Sequence, residues 1–277
     1  MKKNVIAFMN MKGGVGKTTV CVNLAAQIAE MGKRVLVIDI DPQMNASQYM
    51  LSPQKIEEAV KNQKTLYSFY KDDVDIDLFS MNIIGDSKIL NKKGLIINGI
   101  RPNLDLICGD LNMTKVKDDG SNSDTLAAYI DSDCLKEKYD FIFIDCPPTI
   151  SVYTDAALIA SDFYLVPIRI DRYSILGIKL LKQVIDRLDD NEGIGIKPLG
   201  IVYTMVKELS QKTVQLKTTF ESTEIVQEIG MFENMTLQVN DLLVGLQGNI
   251  ASKYKKSRED IDAICKEFLE RIEKYEV

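Results

Sequence analysis

Lys12-Gly13-Gly14-Val15-Gly16-Lys17-Thr18-Thr19 is the stretch that decides the fold. Its glycines let the backbone wrap closely and turn successive N–H groups toward one point. An apolar run, Val5 to Met9, precedes it and reads as a buried strand. A helical pattern from Lys17 to Met31 follows, with Gly32 as its C-terminal stop. Strand, glycine loop and helix in that order make a cradle for phosphate, because the loop amides and the positive end of the helix dipole face the same anion. Lys17 is placed to reach the β- and γ-phosphates of a nucleotide, and the Thr18 hydroxyl to bind Mg2+. The stretch departs from the ordinary pattern Gly-x4-Gly-Lys-Ser/Thr in one place: the leading glycine would fall at Met11, and a second lysine, Lys12, stands near the loop start.

Outward from the loop, short apolar runs alternate with helical patterns. Arg34–Ile38 is ended by Asp39 and Asp41, and Phe141–Ile144 is ended by Asp145. Leu104–Ile107, Phe163–Val166 and Leu199–Tyr203 are further strand candidates. Runs that are apolar throughout suit a parallel sheet covered on both faces. Their alternation with helices predicts right-handed crossovers. The expected fold is α/β: a doubly wound, mostly parallel sheet with helices on both faces, of the P-loop NTPase kind, in a single domain over residues 1–277. Ligands of such sheets sit beyond the strand C-terminal ends, where Asp39, Asp41 and Asp145 fall. Each aspartate also has a local reading, as a cap of the next helix or turn or as a strand end. Beside a phosphate loop, convergence on a metal is the reading adopted. Residues 71–120 read as helices and loops on the sheet edge, their charges a solvated face.

Composition narrows the function classes. The chain has 277 residues, 45% of them hydrophobic, and a net charge of −6. An acidic chain attracts no polyanion in bulk, so any nucleic-acid contact needs a local basic patch. Five cysteines, an odd number without a CxxC pair, speak against a disulfide framework or a zinc ribbon and fit a reducing compartment. Histidine is absent, which removes the commonest general base. No apolar run reaches the roughly 18 residues of a membrane-spanning helix. The apolar stretch near the start, Val5 to Asn10, is shorter than the core of a secretory signal. A soluble cytoplasmic protein with no integral membrane segment is expected. From Arg258 to Tyr275 the chain is amphipathic, with Ile261, Ile264, Cys265, Phe268, Leu269 and Ile272 on one face and an acidic opposite face. That charge suits a helix docked on the core better than one lying on a membrane.

The loop resembles the deviant Walker A loop of the ParA/MinD superfamily of P-loop ATPases. Asp39-Ile40-Asp41-Pro42-Gln43 resembles that family's second motif, and Phe141-Ile142-Phe143-Ile144-Asp145-Cys146-Pro147-Pro148 its Walker B strand and following turn. Leu104–Ile107, Val166-Pro167 and Gly177 sit where the family would have them, so the resemblance runs from Met1 to about Thr204. Asn10-Met11 and the Asp-Pro-Gln sequence look like the ParA partition branch, in its short form without an N-terminal helix-turn-helix, since the loop begins at residue 12. The resemblance implies an ATP-dependent sandwich homodimer. In it Lys12 crosses to the partner's phosphates and Lys17 binds those of its own subunit. Gly13, Gly14, Val15, Gly16 and Thr19 wrap the nucleotide, Thr18 holds Mg2+, and Asp39 and Asp145 support the metal or its water shell. Asp41 positions or activates the attacking water. Phosphoryl transfer needs charge neutralisation and alignment, which two lysines and Mg2+ supply without a histidine. Thr204 and Met205 fall near where the family contacts adenine, with ordinary loop packing as their other reading.

The resemblance also implies nonspecific DNA binding in the ATP state and a ParB-like centromere-binding adaptor that stimulates hydrolysis. Such a protein partitions a plasmid or chromosome as a nucleoid-associated cytoplasmic ATPase. Lys253, Lys255, Lys256 and Arg258 are one candidate DNA-contacting group, and Arg169, Arg172, Lys179 and Lys182 another; a solvated helix start is the plainer reading. Where the family often carries an Ile-Pro-Arg-Ser-like segment, this chain has Met231-Phe232-Glu233-Asn234-Met235-Thr236. The alternative is a MinD-like ATPase that positions a membrane or protein cargo, which would want a basic amphipathic C-terminal tip. An iron–sulfur reductase like the nitrogenase iron protein needs paired cysteines at a dimer axis. Cys108 and Cys146 are available, but Cys146, directly after Asp145, reads as small buried filler.

Overall fold

The computed structural model describes residues 3–70, 94–116, 123–207, 210–238 and 255–276. Strand β1 (Val5–Phe8) runs through the glycine loop into α1 (Lys17–Glu30), and β2 (Val35–Asp39) follows. Short helices α2 (Asn45–Met50), α3 (Pro53–Lys61) and α4 (Tyr67–Tyr70) come next. Then β3 (Ile96–Arg101) turns into β4 (Leu104–Ile107). Helices α5 (Thr125–Ser132) and α6 (Leu135–Lys138) lead to β5 (Phe141–Asp145), α7 (Val152–Ala160) and β6 (Phe163–Ile168). Helix α8 (Ser174–Glu192), β7 (Lys197–Tyr203), α9 (Gln211–Glu221), α10 (Glu224–Ile229) and α11 (Lys255–Glu276) follow, and a 3-10 turn (Leu111–Lys115) comes after β4.

The strands form one sheet in the order β3-β4-β2-β5-β1-β6-β7. All neighbours are parallel except β3 and β4. The chain first winds one way from β1, to β2, and later the other way, to β6. The reversal leaves a crevice at the C-terminal end of β1, and the glycine loop occupies it. Alternate residues of each strand feed two apolar layers. Val5, Ala7 and Met9 pack with residues of α5, α7 and α8, whereas Ile6 and Phe8 pack with residues of α1 and α11. Burial on both faces is why these strands are apolar throughout.

Residues 96–101 differ from the sequence expectation. They are not helix or loop but an antiparallel edge strand on β4. An edge strand pairs on one side only and is half exposed here, so it lacks the continuous apolar run that marks the inner strands. A register shift between Ile97 and Arg101 breaks its alternation as well. Gly99, at φ 68°, turns its amide onto Asp105 Oδ1 at 2.7 Å. The rest of the charged stretch read as a solvated face, residues 71–93 and 117–120, lies outside the described residues.

The last helix docks on the core as its pattern predicts. Ile261, Ile264, Cys265, Phe268 and Ile272 are buried in the layer shared with α1. Phe268 meets Phe141 and Phe143 edge-to-face, with centroids 5.7 and 5.5 Å apart. At the other end Arg271 donates from Nη1 to Leu199 O at 2.8 Å and lies 4.2 Å over the Phe232 ring. A Cβ on residue 200 would stand 2.7 Å from that Nη1 atom, so the close approach requires Gly200, which sits at φ +137°.

Candidate nucleotide-binding site

The loop after β1 is shaped by two left-handed glycines, Gly14 at φ 69° and Gly16 at φ 85°. Gly16 is the N-cap of α1, and no side chain caps that helix end, so its first amides remain open to an anion. Distant residues hold the loop in place. Thr204 Oγ1 donates to Val15 O at 2.6 Å, and Asn10 Nδ2 donates to Pro167 O at 2.8 Å. Asn10 Oδ1 accepts the Lys12 amide at 3.0 Å. The loop lines a cavity of about 460 Å³ with Asp41, Gln43, Asn45, Tyr49, Pro148, Arg169 and Met205. A second cleft, of about 510 Å³, lies between Glu233-Asn234 and α11; it lacks the open helix end and the glycine amides that mark a phosphate site.

Lys17 lines the cavity and is buried, its Nζ donating to Lys12 O at 3.3 Å. Burial lowers the ammonium pKa, with the charges of Asp145 and Asp41 acting against the shift. Thr18 Oγ1 donates to Asp145 Oδ2 at 2.7 Å. Asp145 and Asp39 are register partners at the ends of β5 and β2, and both are fully buried. Burial lifts Asp39 to about 7 against the opposing hydrogen bonds from Ser47. Burial, with the Asp39 charge behind it, lifts Asp145 well above the usual carboxylate range. Asp39 Oδ1 and Asp145 Oδ1 have no hydrogen-bond partner among the described residues. Orphaned buried carboxylate oxygens are costly, and a cation would relieve them. A hydroxyl and a carboxylate are hard oxygen donors of the kind Mg2+ prefers, and Mg2+ commonly takes one or two protein ligands with phosphates and waters supplying the rest. No cluster of three or more His, Cys, Asp or Glu side chains suited to a metal occurs among the described residues. Asp41 faces the cavity, accepts the Gln43 amide on Oδ1 at 2.9 Å, and is raised by burial.

Not every expected residue reaches the cavity. Lys12 points away from it, pairs with Asp171, and lies 5.9 Å over the Tyr173 ring. Thr204 is buried and braces the loop, so of the pair expected near adenine only Met205 lines the cavity. Asp39 gives its Oδ2 to Ser47, whereas Asp145 meets Thr18. Arg169 lines the cavity, and Lys182 pairs with Asp186 and Glu228, both at 3.1 Å. Arg172 and Lys179, the other two of that second basic group, are exposed. Of the first group, Lys253 lies outside the described residues, and Arg258 is exposed on α11. Asn45 and Tyr49 escaped the sequence reading, although their i,i+4 spacing on α2 puts them on one face. Cys108 and Cys146 are free and buried. No helix among the described residues is long and apolar enough to cross a membrane. The segment 231–236 lies along β7: Phe232 N donates to Ile201 O at 2.8 Å and Thr236 N to Tyr203 O at 3.0 Å.

Known proteins resemble this chain in sequence and in fold. The chain matches the AAA domain family over residues 3–197. It is 32% identical over 212 residues to the sporulation initiation inhibitor protein Soj of Bacillus subtilis, covering 76% of each chain. It is 29% identical over 205 residues to the chromosome partitioning protein ParA of Caulobacter vibrioides, covering 73% of this chain and 69% of that one. Its fold resembles a crystallised plasmid partition protein of Borrelia burgdorferi bound to AMPPNP, with a TM-score of 0.72 at 24% identity, over 98% of this chain and 100% of the other.

Proposed function

Because this chain belongs to the ParA family of AAA-domain P-loop partition ATPases, we propose that it binds and hydrolyses ATP with Mg2+ and, in the ATP state, pairs with a second copy and holds DNA nonspecifically. The observation that carries the reading is the meeting of Lys17, the Thr18–Asp145 pair and Asp41 around one cavity floored by the glycine loop. On this reading the loop amides from Gly13 to Thr19 and the Lys17 ammonium hold the phosphates. Thr18 and Asp145 hold Mg2+, with Asp39 beside them. The bound ion would neutralise charge on the phosphates as it builds in the transition state. Asp41 orients the attacking water, and Met205 borders the base. A ParB-like adaptor stimulates the step, and the cycle partitions a plasmid or chromosome on the nucleoid, within one ATPase domain in the cytoplasm.

Lys12 is the residue that makes hydrolysis depend on pairing. Both it and Asp171 are about one-third exposed, at 35% and 33%. An exposed pair contributes roughly 0.2–1 kcal/mol, much less than a lysine gains against a desolvated phosphate. Exchanging Asp171 for the partner's nucleotide is therefore downhill, and the pair is a resting place rather than a lock. Two such pairs break per dimer, so Asp171→Asn is expected to shift the protein concentration for ATP-driven dimerisation by no more than about thirtyfold, as read by light scattering across a dilution series. A shift of orders of magnitude would make the pair a lock and contradict this account.

The DNA arm is tested by binding to duplex DNA of arbitrary sequence with ADP and with ATP across a salt series. Four phosphate contacts, from Lys253, Lys255, Lys256 and Arg258, predict a loss of roughly a hundredfold in affinity between ~50 and ~200 mM salt in the ATP state. The ADP state should bind weakly throughout. Absence of DNA binding in both states, with ATP binding intact, would sink the DNA arm and leave a protein cargo.

A further inference from the structure

The geometry points to Ser47 as a positioning residue for Asp41, a role that rests on the hydrolytic reading above and adds a residue to it. Helix α2 starts after Met44, which sits in a left-handed conformation at φ 57° and offers no side-chain cap. The Ser47 amide goes to Asp39 Oδ2 at 2.7 Å, and the Ser47 hydroxyl donates to the same oxygen at 2.6 Å. In turn Ser47 Oγ accepts the Gly109 amide at 2.9 Å, just past the end of β4. One hydroxyl thus joins β2, α2 and the exit of β4, and both it and Asp39 are fully buried. Gly109 makes the approach possible, since a Cβ there would stand 3.1 Å from Asp39 Cγ.

Residues 40–44 hang between these two anchors, and Asp41 is among them. The short segment is otherwise tied by its own backbone and by α2: Ile40 N donates to Asp145 O at 3.2 Å, Met44 N to Asp41 O at 2.9 Å, and Gln48 Nε2 to Gln43 O at 3.1 Å. Asp41 itself is steered by the Gln43 amide on Oδ1. Ser47 does not line the cavity, so it has no route to the nucleotide except through what it holds. Charge-assisted hydrogen bonds of this length are among the stronger ones, and the carboxylate receives two from a single residue. Without the hydroxyl, Asp39 keeps the Ser47 amide and its backbone contact with Asp41, the Gly109 amide loses its acceptor, and the far anchor of the Asp41 segment loosens. A displacement of the order of 1 Å at a group that aligns a nucleophile is enough to slow a reaction by about a hundredfold.

The test uses the whole chain with Ser47→Ala, alone and in an Asp41→Asn background. We expect kcat for ATP hydrolysis to fall about ten- to a hundredfold while the affinity for a fluorescent ATP analogue stays within about twofold, because Lys17 and the loop amides are untouched. In the Asp41→Asn background, under single-turnover conditions, Ser47→Ala should cause no further loss. A kcat within twofold of wild type overturns the assignment, as does an affinity that falls in step with kcat, or an undiminished loss in the Asp41→Asn background. Should the alanine variant not fold, Ser47→Cys, a somewhat larger side chain with a weaker donor, is judged by the same outcomes. A wild-type protein that hydrolyses no ATP is a separate result, and it counts against the proposed function.

Discussion

Lys17→Ala is expected to weaken ATP binding and slow hydrolysis, each by at least about a hundredfold, while leaving the fold intact. The ammonium is buried with a depressed pKa, and among the described residues its one hydrogen bond runs to Lys12 O at 3.3 Å. It is a cation placed where only an anion would suit it. A triphosphate supplies that anion, and removing a preorganised donor from such a site costs about 10²–10³ in rate. Little of the fold depends on the side chain, so thermal unfolding should move by only a few degrees. Titration with a fluorescent ATP analogue, beside a thermal melt, reads both. Unchanged affinity in a folded variant would mean that the cavity at the glycine loop is not where phosphate binds.

The second large effect is on stability. Phe268→Ala is expected to cost about 3–5 kcal/mol, near the top of what a single core truncation does. Phe268 is fully buried and holds α11 between Phe141 and Phe143 on the central strand β5. Those rings belong to a strand that also ends in Asp145, so the space left by truncation has rigid walls and cannot collapse easily. For a chain of this size the cost corresponds to a fall of roughly 6–20 °C in Tm. Chemical denaturation would check the figure. A cost below about 1 kcal/mol would mean that α11 packs loosely and is not part of the core.

What was legible in the sequence follows from what is local. The glycine loop, the helix after it and the inner strands announced themselves because each is written in consecutive residues: glycines where backbone must approach a ligand, unbroken apolar runs where both sheet faces are covered. Strand β3 was not legible, because an edge position with a bulge leaves neither a run nor an alternation. The site was half legible for the same reason. Lys17, Thr18, Asp41 and Asp145 lie in motifs, and they do meet. The Lys12–Asp171 pair spans 159 residues, and spacing along the chain carries no trace of it. Arg169 is one of several basic residues near the start of α8, and only the fold turns it toward the cavity. Asp39 belongs to the same short motif as Asp41, yet one oxygen of its carboxylate serves Ser47, a partner that motif spacing does not reveal.

The brace from Thr204 to Val15 O joins positions 189 residues apart. Translation delivers the two ends of that bond at different times. A nascent chain carries its complete phosphate loop early, when more than nine tenths of the polypeptide is still to be made. Until β7 has emerged and joined the sheet, the loop has its glycines and lysines but not the contact that fixes its shape. Nucleotide capture on the ribosome should accordingly begin late and abruptly, as residue 204 clears the exit tunnel, and incomplete chains would be kept from pairing before they can be useful.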